Sequence, residues 1–174
     1  MATANFLSRL FRHRLLDERD AKSALGNDGR ARIAARVAAS EARHSGQIRV
    51  CVEAGLPLSY LRRGASARER AVAMFGKLRV WDTEHNNGVL IYMLLAEHAI
   101  EIVADRGIDA RVDAAAWTAI AAQMREPFRG GDFAAGVDRA IDAVDALLVR
   151  HFPRAGAAAP ADYPNELPDT PDVR

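Results

Sequence analysis

The feature that most constrains the fold is a run of seven apolar residues, 89–95, which follows directly on the turn sequence Asn-Asn-Gly. A short segment with no polar face predicts a central β-strand that is covered on both sides. After a turn at 96–98, residues 99–105 alternate between apolar and polar side chains, which predicts a β-hairpin. Residues 47–53 alternate in the same way and predict a further strand with one buried face.

Helical periodicity surrounds these strands. A capping-box spacing at Ser66 and Glu69 begins the helix that leads from the first strand to the central strand, a βαβ crossover with parallel strands. The fold class is therefore α/β, with a short mixed sheet made of this crossover plus the β-hairpin, and the order first strand, central strand, hairpin edge strand. The other predicted helices are 3–24, 30–44, 110–125 (ending before Pro127) and 132–150 (capped by Asp132), with Ser40 and Asp145 on solvated faces.

Length and charge bound the organisation of the chain. Its 174 residues fit one domain, and its net charge of +1 is the sum of +7 in residues 1–70 and −6 in residues 71–174. Because the whole chain lacks a positive excess, no nucleic-acid partner is expected. We predict three regions: a basic amphipathic helical extension (1–26), an α/β domain (27–153) and a Pro/Ala/Asp-rich tail without regular structure (154–174).

Several classes of protein are excluded by missing features. No apolar run is long enough to span a bilayer, and the N-terminus lacks the apolar core of a secretory signal. A single cysteine, Cys51, cannot form a disulfide scaffold, and we predict that it is a semi-buried structural thiol rather than a nucleophile. These observations predict a cytoplasmic protein. No Gly-rich phosphate loop follows a strand, so no nucleotide cofactor is expected.

The basic extension has two interpretations. Leu7, Leu10 and Phe11 could pack on the domain and leave the arginines in water, which is favoured because the acidic sequence Asp17-Glu18-Arg19-Asp20 follows at once. Alternatively, residues 1–26 could make a peripheral contact with an anionic membrane.

One group of polar residues suggests a ligand site. We place the hairpin partners at residue numbers that sum to about 194, so that Asp105 lies opposite Val89. Oxygen-bearing side chains then meet at one edge of the sheet, and oxygen ligands suit Ca²⁺ or Mg²⁺. The candidate metal ligands are Asp82, Glu84, Asn87 and Asp105. The alternative is that Asn-Asn-Gly is only a turn and that the aspartates cap helices.

Two segments carry a family resemblance: Arg79-Val-Trp-Asp-Thr-Glu-His-Asn-Asn-Gly-Val-Leu-Ile-Tyr and Ile102-Val-Ala-Asp-Arg-Gly-Ile. Together with 45–50, Trp117, 128–133, 152–153 and 165–169, they resemble the TPM domain family, in its small bacterial branch without membrane anchors. The resemblance implies an α/β/α sandwich, and it implies divalent-cation binding or acid phosphatase activity, both of which have been credited to some members. Asn87-Gly88 and the segment 104–107 match family positions. Gln47 stands where relatives often have Glu, and Ala104 where they usually have Gly.

Three functions remain after this comparison. The leading one is a non-catalytic binding module, of an unknown protein partner, with a divalent-cation site at the sheet edge. The first alternative is a metal-assisted, acid phosphatase-like hydrolase in which Arg106 or Arg129 neutralises charge, although no nucleophile or base is evident. The second is a factor that assembles or maintains complexes at a membrane surface.

Overall fold

The computed structural model of the chain describes residues 2–154 and 163–174. The helices in these residues are α1 (Ala2–Leu15), α2 (Glu18–Ala24), α3 (Gly29–Glu41), α4 (Leu58–Arg62), α5 (Ala67–Lys77), α6 (Arg106–Asp109), α7 (Ala114–Arg129) and α8 (Phe133–His151). The strands are β1 (Gln47–Glu53), β2 (Gly88–Leu94), β3 (Ala99–Ala104) and β4 (Asp172–Val173). Helices cover both faces of the sheet, so the predicted α/β/α sandwich is confirmed.

The sheet has the strand order β3-β2-β1-β4. β1 and β2 are parallel and joined through α5, and β2 and β3 form an antiparallel hairpin, as predicted. Every residue of β2 is buried, which confirms its central position. β1 is also buried along its whole length, rather than on one face, because α4 and the C-terminal segment cover its second face and outer edge.

Two cores lie on opposite faces of the sheet. The first core contains alternate strand residues together with α2, α3, α7 and α8. The second contains the intervening strand residues together with α4, α5 and one side chain of the C-terminal segment, Leu167. The predicted caps are confirmed: Ser66 and Glu69 form a capping box, and Asp132 accepts a hydrogen bond from the Ala135 N–H at 3.0 Å.

The N-terminal segment differs from the single helix predicted over 3–24. Asp17 caps a new helix by accepting from the Arg19 and Asp20 N–H groups, so α1 and α2 are separate. α2 packs Ala21 into the first core. The expectation that Leu7, Leu10 and Phe11 pack on the domain is confirmed for Leu10, which is half-buried against the second core, and is wrong for Leu7 and Phe11, whose exposed fractions are 62% and 67%.

The C-terminal segment, residues 163–174, packs along the outer edge of β1. Gln47 Oε1 accepts hydrogen bonds from the N–H groups of Glu166 and Leu167, at 2.8 and 3.0 Å. The Arg49 guanidinium donates to the Pro168 carbonyl at 2.6 Å and also to that of Thr170, and Leu167 is buried. The expectation of no regular structure is therefore wrong at β4, although residues 155–162 of that tail lie outside the described residues.

Two helical predictions also need correction. α7 continues past Pro127 to Arg129 and ends at Gly130-Gly131, where Gly131 has a φ of +81° that favours glycine. Ser40 and Asp145, predicted on solvated faces, are both buried, because they hydrogen-bond to each other between α3 and α8 at 2.8 Å.

Candidate functional site

Asp105 and Asn87 lie at the edge of the sheet where β2 begins and β3 ends. The Asp105 N–H donates to the Gly88 carbonyl at 2.9 Å, one residue beyond the last paired positions, Val89 and Ala104. The Asn87 carbonyl accepts from the Gln47 N–H of β1 at 3.2 Å. These two predicted ligands therefore flank neighbouring strand ends.

The hairpin register is one residue away from the prediction. Val89 pairs with Ala104, so partner numbers sum to 193 rather than 194. A shift of one residue moves a side chain to the other face of a sheet. Asp105 therefore follows Val103 toward the second core, whereas Asn87 precedes Val89 on the side of the first core.

The Asp105 carboxylate is the most unusual group at this edge. The residue is only 8% exposed. Its Oδ1 caps α6 by accepting from the Arg106 N–H at 2.7 Å, and its Oδ2 is buried with no donor among residues 2–154 and 163–174. The Arg106 guanidinium does not neutralise it through a hydrogen bond there, since its Nε donates to Asn86 Oδ1 at 2.9 Å. Half of this buried carboxylate is thus left without a partner.

Asn87 is completely buried and has one unused oxygen as well. Its Nδ2 donates to the Ser45 carbonyl at 3.0 Å, and its backbone N–H donates to Thr83 Oγ1 at 3.1 Å. Its Oδ1 finds no donor in the described chain. The turn before it is shaped by Asn86, which has a φ of +51°, a conformation that Asn tolerates better than most residues. Asn87 thus offers a second oxygen, on the other face.

The other two predicted ligands are less enclosed. The Asp82 carboxylate pairs with Arg79 and is about half exposed. Glu84 is exposed, and its backbone N–H donates to Glu166 Oε2 at 2.8 Å. Across the described ranges, no group of three or more His, Cys, Asp and Glu side chains is arranged to hold a metal ion. The four-residue metal site stays a prediction.

A buried carboxyl group that the pattern analysis did not single out lies near the same edge. Glu41, the last residue of α3, is 4% exposed and accepts the Ile48 N–H at 2.7 Å. Burial raises its pKa to about 8, and the carboxylates of Glu166 and Asp169 also raise it. Glu41 lies four residues after Val37, and this helical spacing places it on the apolar face of α3, which could have indicated its burial from the sequence.

Both the sequence and the fold are similar to those of known proteins. The family model described as "TPM domain" matches residues 19–147. The chain belongs to the TPM domain family. Among solved structures, the BA42 protein from the psychrophilic bacterium Bizionia argentinensis is similar, with 26% identity, a TM-score of 0.69, and coverage of 82% of this chain and 90% of that one.

The N-terminal domain of a P. gingivalis protein shares the fold of this TPM domain. It is 18% identical, with a TM-score of 0.55, and the match covers 70% of this chain and 76% of that one. No curated protein matches the chain. The described residues also contain no helix that is both long and apolar enough to cross a membrane.

The interior of this TPM domain contains a buried Ser-His-Asp group. Ser40 Oγ lies 2.9 Å from His44 Nε2 and donates to Asp145 Oδ1, while His44 Nδ1 lies 3.1 Å from the Gly46 carbonyl. Burial lowers the pKa of His44 to about 4, against the opposing effect of Asp145. In a catalytic triad the carboxylate binds the imidazole Nδ1. Here His44 Nδ1 faces the Gly46 carbonyl and Asp145 contacts Ser40 instead, so the group joins α3 to α8.

The thiol of the TPM domain is buried, more completely than predicted. Cys51 is inaccessible within β1, and burial raises its pKa far above the usual range of a thiol. Because the thiolate is the reactive form, this side chain is inert in the folded protein.

Proposed function

We propose that this TPM domain is a non-catalytic binding module that takes a divalent cation, Ca²⁺ or Mg²⁺, at the edge of the sheet where Asp105 lies. The observation that carries the proposal is the buried Oδ2 of Asp105, which has no donor in the described residues. A buried carboxylate oxygen without a partner is costly, and it is a ligand of the kind that these two cations prefer.

The arrangement of the neighbouring groups supports this choice of ligand. A protein partner for Asp105 Oδ2 would have to donate a hydrogen bond. The nearest arginine in sequence, Arg106, donates to Asn86 instead. The amide oxygen of Asn87 is the second candidate ligand. It lies at the same edge as Asp105 but on the other face of the sheet. Asp82 and Glu84 lie on the loop before β2 and complete the predicted set, with Asp82 held by Arg79.

Thermal unfolding of chelator-treated protein tests the cation. A ligand that binds only the folded state at ten times its Kd stabilises by about 1.4 kcal/mol, which for a chain of this size raises the Tm by about 3–6 °C. The probes are Ca²⁺ and Mg²⁺, each added alone up to millimolar concentration. Asp105→Asn should abolish the shift, and Asp109→Asn, an exposed carboxylate one turn along α6, should retain it.

The same variants separate a bound cation from a structural role. Asn at position 105 can still accept the Arg106 N–H but carries no charge, so the metal-free variant should be at least as stable as the metal-free wild type. Equal metal-induced shifts in wild type and Asp105→Asn would refute the site. Metal-dependent hydrolysis of p-nitrophenyl phosphate that Asp105→Asn abolishes would instead establish the phosphatase alternative.

A further inference from the structure

The helix α1 turns three of its large apolar side chains away from the domain. Its inward face carries Leu10, which packs against the second core, and two polar groups: Arg9 Nε donates to Glu97 Oε1 at 2.7 Å, and His13 Nε2 lies 3.0 Å from the same oxygen. His13 Nδ1 accepts from the Leu56 N–H at 2.9 Å. These contacts fix the helix on the hairpin and the loop after β1 without using most of its large apolar side chains.

The outward face of α1 is apolar. Leu7, Phe11 and Leu15 are 62%, 67% and 64% exposed. Their spacing of four residues places them in one row along two turns, which we term the α1 stripe. The helix α4, which packs against α1, also exposes Leu58 and the basic side chain of Arg62. A contiguous row of this kind on an otherwise well-packed domain marks a contact surface.

Unpaired positive charge borders the α1 stripe. Arg12 and Arg14 are exposed, and neither forms an ion pair or a side-chain hydrogen bond with any residue that the structure describes. The acidic residues that follow are already used within α2. Asp17 and Asp20 form its capping box, and Glu18 pairs with Lys22 at 2.6 Å. The acidic residues that follow α1 therefore do not neutralise Arg12 or Arg14.

We propose that the α1 stripe docks on an anionic lipid surface, with the three apolar side chains among the acyl chains and the two arginines at the headgroups. A row of leucine and phenylalanine bordered by arginine is the pattern of an interfacial helix, and free arginines attract anionic lipid. A stable protein partner fits less well, because such interfaces use about 20–30 residues a side, far more than α1 offers. No helix of the described chain is suited to crossing the bilayer, so the contact is peripheral.

Flotation with lipid vesicles tests this proposal on the full chain. The protein should bind vesicles containing about 30 mol % phosphatidylserine and bind pure phosphatidylcholine vesicles far less. Raising the salt from about 0.1 M to about 1 M should weaken binding, because the Debye length falls from about 10 Å to about 3 Å. Phe11→Ser should lower the partition coefficient by about ten-fold, because it removes a large apolar group that would otherwise leave water for the acyl chains.

Matched variants keep the result interpretable. Phe11 is mostly exposed, so Phe11→Ser should leave the Tm unchanged, and Phe11→Trp should retain binding. Val72→Ser changes a half-exposed apolar side chain on another helix, α5, and should bind like wild type. Equal binding to both vesicle types, or binding unaffected by Phe11→Ser, would overturn the proposal. A third result would also overturn it: the protein does not bind vesicles, but it forms dimers at high concentration that Phe11→Ser prevents.

Discussion

The buried carboxyl group of Glu41 makes the stability of this TPM domain depend on pH in a specific way. Its pKa is raised from 4.5 to about 8 in the folded protein, first by burial and then by the tail carboxylates of Asp169 and Glu166, against the hydrogen bond from the Ile48 N–H and the charge of Arg154. The folded state therefore holds a proton that the unfolded chain has already lost at neutral pH. The stabilisation that this bound proton contributes is fully present below pH 4.5 and is lost as the pH rises through 8.

The magnitude follows from this shift. Of the full contribution, about 2 kcal/mol should be lost between pH 6.5 and pH 9, at 1.36 kcal/mol for each pKa unit. For a chain of this size, that is a decrease in Tm of about 4–8 °C. The window is chosen above pH 6.5 because His44, whose pKa falls from 6.5 to about 4 on folding, destabilises the protein only below it.

Glu41→Gln should remove this part of the profile. The glutamine carbonyl can still accept the Ile48 N–H, which Glu41 Oε1 does at 2.7 Å, but it has no proton to lose. Urea unfolding at pH 6.5, 7.5, 8.5 and 9 measures both proteins, with Glu18→Gln, an exposed glutamate, as the control. Parallel profiles for wild type and Glu41→Gln over this range would refute a raised pKa at Glu41.

Two further predictions concern the second core and the C-terminal segment. Tyr92→Phe removes the hydroxyl that donates to Glu53 Oε2 at 2.6 Å, next to the buried Glu53–Arg70 pair. It should lower the free energy of unfolding in urea by about 1–3 kcal/mol. A change within experimental error would contradict that hydrogen bond. Leu167→Ala should cost about 2–5 kcal/mol and increase amide exchange at Arg174, whose N–H donates to the Val52 carbonyl at 2.9 Å, because Leu167 anchors the segment that forms β4; unchanged exchange would show that β4 is held without it.

The sheet could be predicted from the sequence because its strands carry two different, strong patterns. The unbroken apolar run of β2 permits only a covered central position, and the alternation in β1 and β3 places them beside it. The C-terminal segment carries no such pattern. It is held by the Gln47 and Arg49 side chains binding backbone groups, and composition does not reveal hydrogen bonds of that type.

Polar residues at helix core positions were the other limit of prediction. Ser40 and Glu41 follow Val37 on the buried side of α3, yet a polar side chain is ordinarily assigned to solvent. Ser40 is buried because Asp145 of α8 accepts its proton, and Glu41 because the Ile48 N–H needs an acceptor. Each case depends on a partner distant in sequence, which helical periodicity alone does not identify.

The candidate site shows how a single residue of register decides chemistry. With partner numbers summing to 194, Asp105 and Asn87 would have shared one face of the sheet. That arrangement would have allowed both side chains to join Asp82 and Glu84 around one ion. With the observed sum of 193, the same residues still meet at one edge, but their side chains leave the sheet on opposite sides. The turn at 95–98, which ends with His98 at a φ of +46°, sets that sum. The cation proposed for this edge would therefore depend first on Asp105, because its unpaired oxygen carries charge and the unpaired amide oxygen of Asn87 does not.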